Sequence, residues 1–457
     1  MEQRIREKMQ SAGLSESAIS AFLAGYAQLQ ANATGLIAES EIAPVAELPK
    51  AGELQTTEAA AALLEKTVVI KLNGGLGTSM GLEKAKSLLP IRDGLTFLDL
   101  IARQILHLQK QGRVRFLLMN SFSTSADTLD FLKAYPELGT DLELMQNRVP
   151  KLEVETLAPI EWPANPALEW CPPGHGDIYP SLLGSGLLDR LLEGGVRYLF
   201  VSNADNLGAT LDTAILEYFA ASDLSFLMEV TKRTNADRKG GHLAKDVSTG
   251  RLLLRESAQC PDADMDEFQN IEKHRFFNTN NLWIRLDRLK ETMLANNGVL
   301  PLPMIRNTKT VDPRDAGSPK VYQLETAMGA AIGAFADTGA IEVSRERFAP
   351  VKSTADLLAL RSDAYQVTDD SRLVLAESRN GQPPFVDLDK NYKFVDQLDA
   401  AIPDGAPSLL ECEKLVVKGP VRFDSAVKIA GNVSIENDSA ETKVVPAGVL
   451  KNEIVRF

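Results

Sequence analysis

The chain has 457 residues, 44% hydrophobic and 24% charged, which suits a globular protein with a large core and two or three domains. Its 49 basic and 62 acidic side chains leave a net charge of −13 with no segregated basic stripe, so nucleic acid is not an expected partner. No apolar run approaches the ~18 residues of a membrane span and the first thirty residues lack a signal-peptide core, so no membrane association is expected and the cytoplasm is the default compartment.

In the N-terminal stretch Ile19, Phe22, Leu23, Tyr26 and Leu29 recur at spacings of three and four, the mark of one helix face, and residues 1 to about 60 read as helical and supporting. From residue 66 the period changes. TVVIKL, RFLLMN, YLFVSN and LSFLMEVT are β-rich apolar runs separated by helix-length segments such as TFLDLIARQILHLQKQG, which predicts an α/β body with a mostly parallel sheet wrapped by helices. Ligands of such sheets bind beyond the carboxyl ends of the strands. Those ends here are Asn73, Gly74 and Gly75, then Asn120 and Ser121, then Ser202, Asn203 and Asp205, all small or polar.

The first end opens KLNGGLGTSMGLEKAKS, residues 71 to 87. A P-loop requires glycine directly before its Lys-Ser pair, whereas Ala85 precedes Lys86 and Ser87; the dinucleotide fingerprint requires GxGxxG, whereas Gly75, Gly77 and Gly81 are spaced GxGxxxG. Both matches fail, but a glycine-rich turn leaving a strand still bares its N–H groups to a polyanion, and Lys84 and Lys86 add charge. A nucleotide phosphate is the expected ligand, with a plain tight turn as the alternative.

Further along, Asp205 closes a buried-looking strand, where a carboxylate calls for a cation or else serves as a helix N-cap. His175 lies in Pro-Pro-Gly-His-Gly-Asp between glycines that leave its ring accessible. Glu325 reads either as an acceptor for sugar hydroxyls or as a first-turn helix acid, and Asn278, Asn280 and Asn281 as polar site groups or strand-entry residues. Lys352, between Val351 and Ser353, reads locally as a surface lysine. After the breaker-rich IPDGAPS, Leu415 and Val417, Val421 and Phe423, Val427 and Ile429, and Val433 and Ile435 recur every six residues, the period of a parallel β-helix; an antiparallel meander also fits the alternation. Cys171, Cys260 and Cys412 are scattered, signalling neither a disulfide framework nor a zinc site.

The glycine stretch resembles the nucleotide-binding loop of eukaryotic-type UTP-glucose-1-phosphate uridylyltransferases, the UDP-glucose pyrophosphorylases. TFLDL, LLMNSF, PPGHGDIY, FVSNADNLGAT, ADRKGGHL, FNTNNLW, QLETAMGAAI and PVKSTADLL are similar to segments of that family and follow in family order. The resemblance implies a Rossmann-like nucleotidyltransferase core that joins UTP and glucose 1-phosphate into UDP-glucose and pyrophosphate with magnesium. It places Leu72, Gly74, Gly75, Met119, Gln146 and Gly174 around the uridine, with Asn73 at the same strand end, and Lys86 and His175 at the UTP phosphates. Asp205 becomes a magnesium ligand with Asn203 beside it, Gly241, Asn280 and Glu325 sugar contacts, and Lys352 a second phosphate lysine. The implied organisation is a helical segment over 1–60, a catalytic domain over 61–365, a connection over 366–404 and a left-handed β-helix over 405–457, whose open end is a candidate for self-association. This chain departs from the family pattern in carrying Lys84-Ala85 for the usual Gly-Pro, and Arg238 and His242 near the expected sugar site. Related pyrophosphorylases of another sugar, and an inactive nucleotide-binding scaffold, are the competing readings.

Overall fold

The structure, a computed structural model, describes residues 1–33 and 35–457. Two helices lead the chain, α1 (Glu2–Ser11) and α2 (Glu16–Gln30), the second capped by Ser15, whose side chain accepts from the Ala18 amide. Ile19, Phe22, Tyr26 and Leu29 are buried along one face, as their spacing predicts. Helix stops at Gln30. Beyond it the predicted helical support gives way to short 3-10 turns and one edge strand, β1 (Ile42–Pro44), because Pro44, Pro49 and Gly52 interrupt any longer helical run.

Ten strands form the central sheet. After β1 come β2 (Thr67–Asn73), β3 (Arg115–Asn120), β4 (Glu143–Met145), β5 (Tyr198–Asn203), β6 (Phe226–Lys232), β7 (His242–Asp246), β8 (Leu252–Arg255), β9 (Phe276–Arg285) and β10 (Thr338–Glu342). The path runs β1-β7-β9-β5-β2-β3-β4, with β6 between β9 and β10 and β8 beside β7. The pairs β5-β2, β2-β3 and β3-β4 are parallel, so the three runs that end in small or polar residues, β2, β3 and β5, deliver those ends to one edge, with β4 beside them. Around β9 the pairing turns antiparallel.

Alternation along β2 sends Val68 and Ile70 to one hydrophobic layer and Val69 to the other, so both faces of the sheet are covered. The segment predicted as helix between β2 and β3 is α3 (Phe97–Gln109). Thr96 caps it by accepting from the Asp99 amide at 3.1 Å, while the Asp99 carboxylate accepts from the Thr96 amide at 2.8 Å.

The C-terminal region pairs in parallel throughout, which excludes the meander. In β12 (Ser408–Lys418), after β11 (Phe385–Leu388), Leu415 and Val417 lie beside Val433 and Ile435 of β14 (Val427–Glu436). That offset is three hexapeptides, and all eight residues of the repeat are buried. Between them β13 (Val421–Phe423) pairs with β15 (Lys443–Val445), and the outermost rungs, β16 (Gly448–Lys451) and β17 (Ile454–Arg456), both lie on β14. This interior is continuous with the core under the sheet through Leu357, Tyr392 and Leu398. No helix among the described residues is long and apolar enough to cross a membrane. Cys171, Cys260 and Cys412 are free and buried.

Candidate functional site

A cavity of about 290 Å³ opens at the carboxyl ends of β2, β3 and β5. Its floor is strand-end backbone, Asn73 to Gly75 and Asn203 to Asp205, and Leu72 and Met119, paired across β2 and β3, supply its apolar wall. The Asn73 side chain is turned away from the cavity into the sheet, donating to Asn120 Oδ1 at 2.7 Å and Thr128 Oγ1 at 3.0 Å, so only its main chain faces a ligand.

The turn after β2 is shaped by what its glycines allow. A Cβ on Gly74 would lie 2.6 Å from Gln146 Oε1, so the amide of Gln146 reaches the main chain only because that position is bare. Gln146 Nε2 donates to the Gly174 carbonyl at 3.1 Å, joining two of the loops. The turn closes with the Lys86 amide donating to the Gly75 carbonyl at 3.1 Å. Ala85, where the resemblance leads one to expect proline, has φ −52°, a value proline itself adopts, so the backbone path does not depend on the ring. Lys84 points outward and is exposed.

Gly174 begins the His175 turn with φ +80°, and a Cβ there would lie 2.5 Å from the Thr326 carbonyl oxygen. This packs Glu325 and Thr326 against the outside of that turn. His175 Nδ1 accepts from the Met328 amide at 2.9 Å, which leaves the proton on Nε2. Burial and then the Lys352 charge depress its pKa to about 4, so near neutrality it is a neutral donor rather than a cation. Below it lies a group the sequence analysis did not use. Asp177 is fully buried, accepts from the Asn147 amide at 2.7 Å and Ser181 Oγ at 2.8 Å, and its pKa is raised to about 6 because burial outweighs those bonds. It fastens the residue after Gln146 to the turn that holds His175.

On the opposite wall, Lys86 and Lys352 converge on one oxygen. Lys86 Nζ lies 2.9 Å and Lys352 Nζ 3.3 Å from Asp205 Oδ2, and Lys86 Nζ also donates to the Val351 carbonyl. Asp205 Oδ1 is buried and has no hydrogen-bond partner among the described residues. The helix-cap alternative for Asp205 fails, since the following helix (Thr213–Ala221) is capped by Asp212. No cluster of three His, Cys, Asp or Glu able to hold a metal occurs among the described residues. A lone carboxylate with one free oxygen nevertheless fits magnesium, which takes one or two carboxylates and draws its other ligands from phosphate and water. Lys352 remains 64% exposed, so half of its surface-lysine reading stands, but its ammonium is already directed at the cavity mouth.

Gly241, Asn280 and Glu325 do not line this cavity. Gly241 precedes β7, and its carbonyl accepts from the Asn278 amide at 3.4 Å. Asn280 sits inside β9, not at its entry. The register of β9 against β6 slips there, Asn280 takes φ +58°, and its amide donates to Asn278 Oδ1 at 2.9 Å, so a bulge aims these side chains. Glu325 ends a strand (Lys320–Glu325) and is followed by a 3-10 turn, so it is not a first-turn helix acid; burial raises its pKa against the opposing Asn307 hydrogen bond. His242 faces the core, fully buried, with its ring 3.9 Å from that of His274, and so presents nothing to a ligand. Arg238 is exposed.

Two buried charges within the strands around the site, besides Asp177, also escaped the sequence analysis. Lys71, inside KLNGG, donates to Ser202 Oγ at 2.8 Å and to the Ala209 carbonyl, tying β2 to the loop of Asp205; burial and then the Arg347 charge lower its pKa to about 7. Glu229, inside LSFLMEVT, receives Arg347 in a fork with Nε and Nη2 each 2.8 Å away. A charged residue within an apolar strand run was the available signal in both cases.

The sequence profile of the family described as UTP–glucose-1-phosphate uridylyltransferase matches residues 19–430. The Solanum tuberosum UTP–glucose-1-phosphate uridylyltransferase is 42% identical over 393 residues, 85% of this chain and 80% of that one. Among solved structures, a point mutant of Leishmania major UDP-glucose pyrophosphorylase in complex with UDP-glucose superposes with a TM-score of 0.94 at 51% identity, covering 100% of this chain and 99% of that one. A Trypanosoma brucei structure described as UDP-glucose phosphorylase does so with a TM-score of 0.92 at 52% identity, with the same coverage.

Proposed function

The chain belongs to the UTP–glucose-1-phosphate uridylyltransferase family and is a nucleotidyltransferase, and from that premise we propose how it joins UTP to glucose 1-phosphate to give UDP-glucose and pyrophosphate. Uracil enters between Leu72 and Met119, read by the Gln146 amide and the bare backbone at Gly74, Gly75 and Gly174. The triphosphate extends toward Lys86, the Nε2 proton of His175 and Asp205. The sugar lies toward Gly241, Asn280 and Glu325, with its phosphate near Asn203 and Lys352.

The attacking group is a phosphate oxygen of glucose 1-phosphate, ionised at neutral pH, so no base is needed to deprotonate it. It forms a bond to the α-phosphorus of UTP as the bond to the β-phosphate oxygen breaks, and pyrophosphate leaves with that electron pair. The obstacle is repulsion: two unit charges about 4 Å apart oppose one another by roughly 4 kcal/mol at an effective dielectric of ~20. Lys86 and Lys352, which meet at Asp205, offset it together from that wall, and His175 adds a hydrogen bond without adding charge. Magnesium, when bound, would be held by Asp205 and would neutralise phosphate charge. Catalysis is positioning plus charge stabilisation, with no covalent enzyme intermediate.

The observation that carries this reading is the convergence of both lysines on Asp205 Oδ2 while Oδ1 has no partner. Pyrophosphate release from UTP and glucose 1-phosphate, with and without chelator, tests it. Release that is absent with glucose 1-phosphate, or indifferent to the chelator, overturns it. Galactose 1-phosphate and N-acetylhexosamine 1-phosphate in the same assay test the sugar.

We read the C-terminal parallel ladders as a left-handed β-helix and the region before residue 366 as the catalytic domain. Val449 and Ile454 on the outer rungs are 62% and 57% exposed, and this open end is our candidate surface for self-association. The free, buried cysteines suit a reducing compartment, and we place the reaction in the cytoplasm.

A further inference from the structure

Lys352 belongs to a segment attached at several points, three of which bear on its position. Arg347 forks onto Glu229 of β6 and fixes it to the sheet. Asn206 clasps it from the Asp205 loop, its Nδ2 donating to the Arg347 carbonyl and its Oδ1 accepting from the Ala349 amide, each at 3.0 Å, and the Val351 amide then donates to the Asp205 carbonyl at 3.2 Å. These two suffice to bring the next residue, Lys352, to Asp205.

The third leads elsewhere. Arg345 Nη1 and Nη2 meet Asp237 Oδ2 and Oδ1 at 2.7 and 2.9 Å. Asp237 lies in the turn before Gly241, and its Oδ2 also accepts locally, at 2.8 Å from both the amide and the hydroxyl of Thr234, while Oδ1 is met by Arg345. Beneath the turn, Arg233 Nη2 donates to the carbonyls of Asp237 and Arg238 at 3.1 and 2.8 Å, so the turn is held with or without Arg345. A ring contact runs parallel to the ion pair: Phe348 lies 5.0 Å from Phe277, and Phe277 fills the space beside Gly240, where a Cβ would come within 2.0 Å of it. The Arg345 guanidinium stacks over Phe348 at 5.3 Å. The turn and the Lys352 segment are therefore joined by a bidentate pair and a packed ring, although neither needs the other to keep its shape.

We infer that Asp237 and Arg345 are positioning residues that couple the sugar side of the site to Lys352, so that seating glucose 1-phosphate against the Gly241 turn sets the ammonium that faces the phosphates. The inference rests on the proposed places of Gly241 and Lys352. The bidentate geometry carries the coupling, because two parallel bonds fix orientation as well as distance, and lysine in place of arginine keeps the charge while losing the fork.

The test is steady-state kinetics on R345K, R345Q and D237N, with melting temperatures confirming that each variant is folded. R345K, at a partly exposed position, is the mildest of them. Expected for R345Q and D237N is a fall of about tenfold in kcat/KM for glucose 1-phosphate, with KM for UTP within about twofold of wild type, and for R345K a smaller fall in the same pattern. The R345Q/K352A double variant is expected to be no slower than K352A alone. Unchanged kcat/KM for the sugar phosphate, equal changes toward both substrates, or losses that add to that of K352A overturn the coupling. If K352A itself turns over like wild type, the place assigned to Lys352 falls, and the coupling with it.

Discussion

The two walls of the cavity are built by different means. The wall proposed for uridine is backbone and neutral side chains: glycines that admit Gln146 and Thr326 and an imidazole held neutral, with a buried carboxylate, Asp177, behind it that has no ion pair among the described residues. The wall proposed for the phosphates is made of charge, with Lys86 and Lys352 on Asp205, and is backed by paired charges outside the cavity lining, Arg347 on Glu229 and Arg345 on Asp237. The first wall provides shape, which discriminates a base; the second provides field, which brings anions together. A wall of the first kind fails when a cavity is filled or a buried group titrates, and one of the second kind when a partner is removed.

The severest test of the paired wall is Glu229→Gln, which leaves the Arg347 fork without its carboxylate inside the protein. A stability loss of about 3–5 kcal/mol is expected in urea unfolding. An unchanged midpoint would show that the pair is not structural. Lys86→Ala is expected to lower kcat by about a hundredfold or more while leaving the melting temperature close to wild type, since preorganised charge of this kind supplies about 3 kcal/mol. Turnover within a few-fold of wild type would remove Lys86 from the reaction.

The neutral wall is probed by pH. Folding raises the pKa of Asp177 from 3.8 to about 6, so its neutral form contributes stability below pH 3.8 that is lost as pH rises through about 6. Asp177→Asn removes that loss, and its stability relative to wild type is expected to rise across this window. His175 has the opposite sign. Its pKa falls from 6.5 to about 4, so its contribution is present above pH 6.5 and lost as pH falls toward 4, and His175→Gln flattens that limb. Urea midpoints from pH 3 to 7 separate the two, and parallel curves for wild type and variants would contradict both assignments. The smallest effect is expected at the nucleotide loop. Ala85→Pro, at a φ that suits proline, is expected to leave KM for UTP unchanged and raise stability by about 0.4–1 kcal/mol, measured by melting. A loss of stability would mean that the ring does not fit the buried space around residue 85.

What was legible in the sequence follows the same division. Runs such as RFLLMN and YLFVSN announce strands by periodicity and ends by polarity, and parallel order then forces those ends together, so Gly74, Asn120, Asn203 and Asp205 could be placed at one edge. The six-residue recurrence from Leu415 to Ile435 pointed to one buried face in the C-terminal region for the same reason, but left the meander open until the parallel pairing excluded it. Pairs formed across the sheet were not legible. Nothing local tells Arg345 to seek Asp237 or Arg347 to seek Glu229, because contacts between residues about a hundred positions apart leave no period. The Asn280 bulge and the inward turn of His242 also escaped, since a slip of one residue in a strand reverses which face a side chain takes. The sugar-side places of Gly241, Asn280 and Glu325 come from the resemblance alone, because no periodicity points to them.

The thiols have a practical corollary. Burial lifts Cys171 to about 12 and Cys412 to about 11 and raises Cys260 as well, so none offers a thiolate to a reagent in neutral buffer. Engineered cysteines on the catalytic body and on the outermost C-terminal rung would take maleimide dyes against a silent background, and energy transfer between them would report how these two parts approach one another during turnover.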